Sequence, residues 1–201
     1  EKMEGLLNEQ LNPFGLGAKR TKRLPEKLLA VRSGLSVYGR NNITYVEGMG
    51  SFVLLSAYYS SLECTEDSWG MTKIMECCKN CSLCQENCPS GAITREKGVI
   101  KAERCLTYHN EYAGGPEWPS WMEPGWHNCI VGCMRCQACC PQNSRYLGEV
   151  KEFDGFSAEE TALILDGCPQ DSLPPELAEK LERLNLLGYY GVLPRNLAAL
   201  L

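Results

Sequence analysis

Cys78-Lys-Asn-Cys81-Ser-Leu-Cys84-Gln-Glu-Asn-Cys88-Pro89 decides what kind of fold this chain can have. Its first three cysteines recur every third residue, and the fourth stands directly before proline. Thiolates at i, i+3 and i+6 on a tightly wound loop reach three corners of one 4Fe-4S cubane. The fourth, followed by proline, starts a segment that points away and ligates a second cubane. A structural zinc site asks for four ligands, usually as two separated Cys-x2-Cys pairs. The spacing here is a poor zinc pattern and a good iron–sulfur one.

Working outward, a second run follows at Cys133-Met-Arg-Cys136-Gln-Ala-Cys139-Cys140-Pro141. The first run has the full spacing of a bacterial-type ferredoxin, and the second repeats its last three ligand positions. A complete run ending at Cys140 needs cysteines at 130, 133 and 136, and position 130 is Ile130. A register on Cys133, Cys136 and Cys139 needs Cys-Pro at 143, which is Asn143. The missing ligand must come from elsewhere. Cys129, one residue out of register, and Cys105, at the end of an expected hairpin, are the candidates. In a crossed arrangement one cubane takes Cys78, Cys81, Cys84 and Cys140. The other takes Cys88, Cys133, Cys136 and one of those two. Cys64, Cys77, Cys139 and Cys168 are read as small buried hydrophobes in a reducing compartment.

Thirteen cysteines in 201 residues is the dominant compositional fact. The count is odd, no secretory signal is visible, and the spacing is wrong for a disulfide scaffold. Metal binding in the cytoplasm is therefore expected. Net charge is -5, so a nucleic-acid-binding surface is not the first expectation. Lys19, Arg20, Lys22 and Arg23 form a local basic cluster, read as a solvated turn or as a docking patch for an acidic partner or RNA phosphates. No apolar run approaches the roughly 20 residues of a membrane span. The chain does not begin with Met, and an N-terminally incomplete sequence is expected.

The fold class expected is α+β: a bacterial-type 2×4Fe-4S ferredoxin-like module flanked by an α/β segment and a small helical C-terminal tail. Residues 1–63 form the α/β segment, which completes an upstream corrinoid-type domain. It holds a helix opened by Pro25 and stopped at Gly34, and two strands, Ile43–Val46 and Phe52–Leu55, joined by a turn over 47–51. Residues 64–150 form the double-cluster module, with a hairpin about Lys97-Gly98 and an ordered Trp-rich loop over 114–126. Residues 151–201 form the tail. Ser157 and Glu160 make a capping-box pattern, Pro174-Pro175 opens a second helix with Leu177, Leu181 and Leu184 on one face, and Leu193-Pro194 begins a third.

Several segments carry a family resemblance. Ala30-Val-Arg-Ser-Gly-Leu-Ser-Val-Tyr-Gly-Arg-Asn-Asn42 and Gly50-Ser51-Phe52 resemble the region preceding the clusters in epoxyqueuosine reductases. The first cysteine run, Arg104-Cys105-Leu-Thr-Tyr108, Gly132-Cys133-Met-Arg-Cys136 and Cys140-Pro141 follow in the same order. Leu193-Pro-Arg-Asn196 resembles part of the family's C-terminal repeats. The resemblance spans roughly residues 24 to 200. It selects Cys105 over Cys129, because the family's isolated ligand lies in an Arg-Cys-(Leu/Ile)-(Ser/Thr)-Tyr segment. The second set is then Cys88, Cys105, Cys133 and Cys136, and Cys129 joins the cysteines read as small buried hydrophobes. The resemblance also implies a cobalamin at the face of residues 35–55, with Tyr38, Arg40, Asn41 and Asn42 as contacts. It implies reduction of an epoxide on a modified tRNA base.

This sequence departs from the family where an acidic proton donor is expected shortly before Leu24. It has Arg20-Thr-Lys-Arg23 there, and no carboxylate. The insert with Trp118, Trp121 and Trp126, and the extra Cys129, also lie outside the pattern.

The leading expectation is the iron–sulfur electron-transfer portion of a corrinoid-dependent, epoxyqueuosine reductase-like oxidoreductase. It would be supplied by a ferredoxin or flavodoxin and act on tRNA or another reducible substrate. The alternative is a non-enzymatic ferredoxin-type electron carrier or adaptor. A third reading makes the clusters structural in an RNA-binding module. His109 and His127 are the only histidines. They are read as loop histidines with local partners, against roles as iron ligands, donors to cluster sulfur or proton shuttles.

Overall fold

The computed structural model describes residues 2–67, 69–96, 98–111 and 117–201. The chain divides into two compact units, Glu1–Cys81 and Ser82–Leu201. Among the described residues, no helix is long and apolar enough to cross a membrane.

The first unit runs α1 (Lys2–Leu11), β1 (Ala18–Thr21), α2 (Glu26–Arg32), β2 (Val37–Tyr38), β3 (Thr44–Tyr45) and β4 (Ala57–Ser60). Helix α1 buries none of its residues and is held by polar contacts. The Asn8 amide donates to the Ala18 carbonyl at 2.9 Å and accepts from the Ala18 N–H at 2.8 Å. Glu4 accepts from the Arg20 N–H at 2.9 Å. Strand β1 pairs antiparallel with β4, from Ala18 opposite Ser60 to Thr21 opposite Ala57. Lys19 and Arg20 thus stand on a strand rather than in a turn. Helix α2 follows Pro25 as expected, and the chain leaves it through Gly34 at φ 81°.

The second sheet corrects the sequence reading. Strand β3 forms within the expected segment 43–46, but its partner is β2, with Val37 opposite Tyr45. The expected strand over 52–55 does not form. Its side chains alternate in exposure as an extended chain's do, with Leu54 88% exposed. A strand also needs a free edge to pair with. Val46 and Gly50 close an antiparallel bridge just after β3, so 47–50 folds back locally and segment 52–55 gains no ladder. Pairing resumes at β4, where β1 supplies the edge.

The turn between β2 and β3 fixes Gly39 by contact. A Cβ there would lie 2.6 Å from both the Tyr45 ring and Asn41 Oδ1, closer than real Cβ atoms approach. Beyond this turn the Tyr38 backbone pairs with the chain that leads into the cysteines. Its N–H donates to Lys73 O, and its carbonyl accepts from the Met75 N–H, both at 2.8 Å.

The second unit runs α3 (Leu83–Glu86), α4 (Leu106–Glu111), α5 (Arg135–Ala138), α6 (Ala158–Leu165), α7 (Pro175–Arg183) and α8 (Leu193–Ala198), with short 3-10 turns between. The expected hairpin is closed by an Ile93–Ile100 bridge, while Lys97 in its turn lies outside the described residues. Of the expected Trp-rich loop, residues 117–126 are described.

The tail folds as its pattern demands. Glu160 N–H donates to Ser157 Oγ at 3.2 Å, and Ser157 N–H donates back to the Glu160 carboxylate at 2.7 Å, a reciprocal capping box. Ile164, Leu173, Leu177, Leu181, Tyr190 and Leu193 form the core, with Leu181 and Leu193 fully buried. Lys180 Nζ meets the Glu160 carboxylate at 2.6 Å, with side chains only 18 and 19% exposed.

The Lys180 hydrogen bond, then the Ser157 backbone, hold the Glu160 carboxyl below its ordinary value of 4.5. A carboxylate with a depressed folded pKa contributes stability above its unfolded pKa and loses it as pH falls through the folded one. Thermal melts from pH 6 to pH 3 are therefore expected to fall less steeply for Glu160→Gln than for wild type, the two curves converging at the acid end. Parallel curves would show that the pair contributes nothing.

Candidate metal centre

The two cysteine runs fold alike. Helix α3 carries Cys84 and helix α5 carries Cys136, each at the second position of a single turn, and the two helices pack together. Cys88 N–H donates to Gln85 O at 3.3 Å, and Cys140 N–H donates to Gln137 O at 3.2 Å. Each Cys-Pro then opens the same kind of turn, with Gly91 N–H donating to Cys88 O and Asn143 N–H to Cys140 O. The repeat aligns Cys84 with Cys136 and Cys88 with Cys140. It places Ile130 where the first run has Cys78. Ile130 is half-buried against the core of the tail.

Side chain to backbone bonds link the loops that bear Cys88, Cys105 and Cys133. Arg104 Nε donates to Ser90 O at 2.8 Å, joining the residue before Cys105 to the turn after Cys88. His109 Nε2 donates to Glu103 O at 2.7 Å, fixing the 3-10 turn that delivers Cys105. Asn110 is fully buried, donates its amide to Gly132 O and accepts from the Gly132 N–H at 2.9 Å. Gly132 sits at φ 81° directly before Cys133, a backbone state that favours glycine. Asn196, also fully buried, donates to Asn110 O at 2.9 Å and Ile130 O at 2.7 Å.

Two stacks of aromatic and cationic groups flank this frame. Arg104 lies over Trp121 at 4.8 Å, and His109 meets the same ring edge-on at 5.3 Å. Arg195 lies over Trp118 at 3.8 Å, and His127 packs on that ring at 4.1 Å. His127 is buried, and neither ring nitrogen makes a hydrogen bond of normal geometry. Burial, helped by the Arg195 charge, pulls its pKa down against a raising contribution from the Cys129 backbone.

None of the thirteen cysteines is paired in a disulfide. Two of those expected to be buried are not. Cys64 is exposed, in a stretch exposed from Tyr59 to Asp67, and Cys77 is exposed because adjacent residues of a 3-10 turn face different ways, here with Cys78 inward. Cys139 and Cys168 are half-buried. Among the described residues, no three His, Cys, Asp or Glu side chains converge as the ligands of a single metal ion do. A cubane instead takes its thiolates at separate irons. Burial pushes the Cys133 thiol up, the Arg135 backbone pulls it down, and the neighbouring Cys129 and Cys105 push it up again. Cys105 and Cys129 therefore each lie within electrostatic reach of Cys133. Grouped thiols of this kind suit a cationic cluster, which favours their thiolate form. The donor set therefore fits iron–sulfur ligation.

Among the residues expected at a corrinoid, Arg40 is buried and donates to Cys78 O at 2.9 Å. Asn41 is buried and donates to the Tyr45 hydroxyl at 3.0 Å. Tyr38 and Asn42 are half-buried or less exposed, Asn42 at φ 59° with its carbonyl accepting from Lys27. Sequence alone does not single out Asn110, Asn196, Arg104 or Arg195 as positioning groups. Nothing in their residue types announces burial, and Arg104, Arg195 and Asn196 stand out only as members of segments that resemble the family.

Residues 77–143 match the model of the 4Fe-4S double cluster binding domain. The chain is 32% identical to an epoxyqueuosine reductase of Gloeobacter violaceus over 125 residues, which is 62% of this chain and 38% of that one. The chain is epoxyqueuosine reductase-like and carries a double 4Fe-4S cluster domain. Its fold matches that of the epoxyqueuosine reductase from Streptococcus thermophilus with a TM-score of 0.67 at 19% identity, over 98% of this chain and 51% of that one. A further match, with a TM-score of 0.64 at 20% identity over 98% of this chain and 54% of that one, is to an epoxyqueuosine reductase solved with an epoxyqueuosine-modified tRNA-Tyr stem loop. The chain thus spans 38% of the Gloeobacter protein and about half of these solved structures.

Proposed function

We propose that this chain is the iron–sulfur electron-transfer portion of an epoxyqueuosine reductase-like oxidoreductase. One set of ligands is Cys78, Cys81, Cys84 and Cys140, and the other is Cys88, Cys105, Cys133 and Cys136. The observation that carries the proposal is the double-cluster match over 77–143 together with the frame that ties the loops of Cys88, Cys105 and Cys133 to one another. When bound, such clusters supply single-electron transfer at a potential set by ligation, hydrogen bonding and burial. The chain's own residues do the positioning. Arg40 holds the backbone of Cys78, Arg104 and His109 hold the turn of Cys105, and Asn110 holds the loop of Cys133.

The finer part of the proposal places a cobalamin at the face of residues 35–55, where it would accept those electrons. Tyr38 is the side chain that best suits direct contact, since Arg40, Asn41 and Asn42 are engaged with Cys78, Tyr45 and Lys27. A ferredoxin or flavodoxin supplies the electrons, and the reducible substrate is a modified tRNA or a related molecule, in keeping with the relatives.

Anaerobically prepared protein is expected to hold about eight iron atoms and about eight acid-labile sulfides per chain. It should be brown, with a broad charge-transfer band that bleaches on reduction. Stoichiometric zinc without labile sulfide would overturn the proposal. Cobalamin retention, read from its own visible bands, tests the finer part independently.

A further inference from the structure

We infer that the C-terminal tail is a working part of the second cluster site, with Asn196 and Arg195 as positioning residues for Cys105 and Cys133. The inference rests on the ligand sets proposed above. A ferredoxin-type run would carry its first thiolate at position 130. Here that position is Ile130, whose side chain packs into the tail's core and whose carbonyl accepts from Asn196 at 2.7 Å. The loop that presents Cys133 is thus anchored to the tail at the point where its own first ligand is missing.

The second half of the site is anchored the same way. Helix α4 begins directly after Cys105 and ends at Glu111. The last carbonyls of any helix lack partners within it. The tail supplies them: Arg195 Nη2 donates to His109 O at 2.7 Å, and Asn196 Nδ2 donates to Asn110 O at 2.9 Å. A cation at a helix C-terminus also opposes the helix dipole favourably. Arg195 Nη1 reaches Glu117 O at 3.2 Å as well. Two consecutive tail residues therefore cap the helix of Cys105 and hold the loop of Cys133. The Asn110 side chain, fully buried, joins the two through Gly132. Groups that orient metal ligands in this way typically change affinity by about 10- to 100-fold when removed.

The test uses the whole chain, reconstituted anaerobically with iron and sulfide. Asn196→Asp keeps the shape of the side chain and replaces its donating NH2 with an oxygen facing two carbonyls. Wild type is expected to hold about eight irons and Asn196→Asp about four, with one EPR species left on reduction. Asn196→Ala covers failure of the charged variant to fold. It is expected to release half of its iron to a chelator at least about tenfold faster than wild type. It should also shift one of two midpoint potentials while tail helicity by circular dichroism persists. Unchanged iron, release rates and potentials in both variants would overturn the inference. So would equal loss of both clusters with loss of helicity, which would mean a purely structural role. A wild-type chain that takes up no cluster at all would instead overturn the proposed function.

Discussion

Cys105→Ser is expected to cost the chain about half its iron, whereas Cys129→Ser keeps nearly all of it. Both thiols lie within electrostatic reach of Cys133, so proximity alone does not separate them. Preorganisation does. Cys105 is held on both sides, by the Arg104 bond to the turn after Cys88 and by the His109 bond to Glu103. Helix α4 starts at the next residue and is tied through Asn110 to the loop of Cys133. Cys129 sits on the chain just before Ile130, which is committed to the tail core and to Asn196. In the folded site, a ligand whose loop is fixed by native hydrogen bonds is better oriented for iron than one whose chain is committed elsewhere. Iron and sulfide assays beside EPR of the reduced variants read the outcome. Loss of a cluster in Cys129→Ser, with Cys105→Ser intact, would exchange the two roles.

The local punctuation of the chain is legible in its residues. The capping box at Ser157, the stop at Gly34 and the paired helices of the tail follow from rules acting over four or five residues. The cysteine repeat is legible for a similar reason, since ligation fixes spacing within a single loop. Strand pairing is less so. Segment 52–55 has the alternation of a strand, but whether it pairs depends on an edge supplied from elsewhere. The edge that forms is β1, inside a stretch whose lysines and arginines suggest a turn.

The frame around the second ligand set is hidden for a stronger reason. Asn110, Asn143 and Asn196 are polar residues of a type mostly found at the surface, and all three are fully buried here. Each is satisfied by backbone groups: Asn143, for instance, donates to Gln137 O at 2.9 Å. Leaving such groups unpaired inside would cost about 1–3 kcal/mol each. The partners of Asn196 lie at 110 and 130, so the pattern exists only in the folded chain.

Removing the clusters with a chelator and an oxidant is expected to release the cysteine stretch of the second unit while the tail stays folded. Helices α3 and α5 have four residues each and α4 has six, lengths that do not persist in water without packing. Among the described residues between 83 and 143, the buried apolar side chains are Ala92, Ile93, Leu106 and Met122, a thin core for so long a stretch. Metal binding there is a large part of the folding free energy. The tail differs: Ile164, Leu177, Leu181 and Leu193 are each at most 1% exposed and pack with one another. Hydrogen exchange on the stripped protein is expected to show rapid labelling over 83–111 and 117–143. Amides in 158–198 should label at least about tenfold more slowly. Uniform rates across both stretches would show that the unit folds and unfolds as one, with the tail dependent on the clusters. The expected asymmetry would give the tail its role as the platform onto which Asn196 docks the loops of Cys105 and Cys133 as the cluster forms.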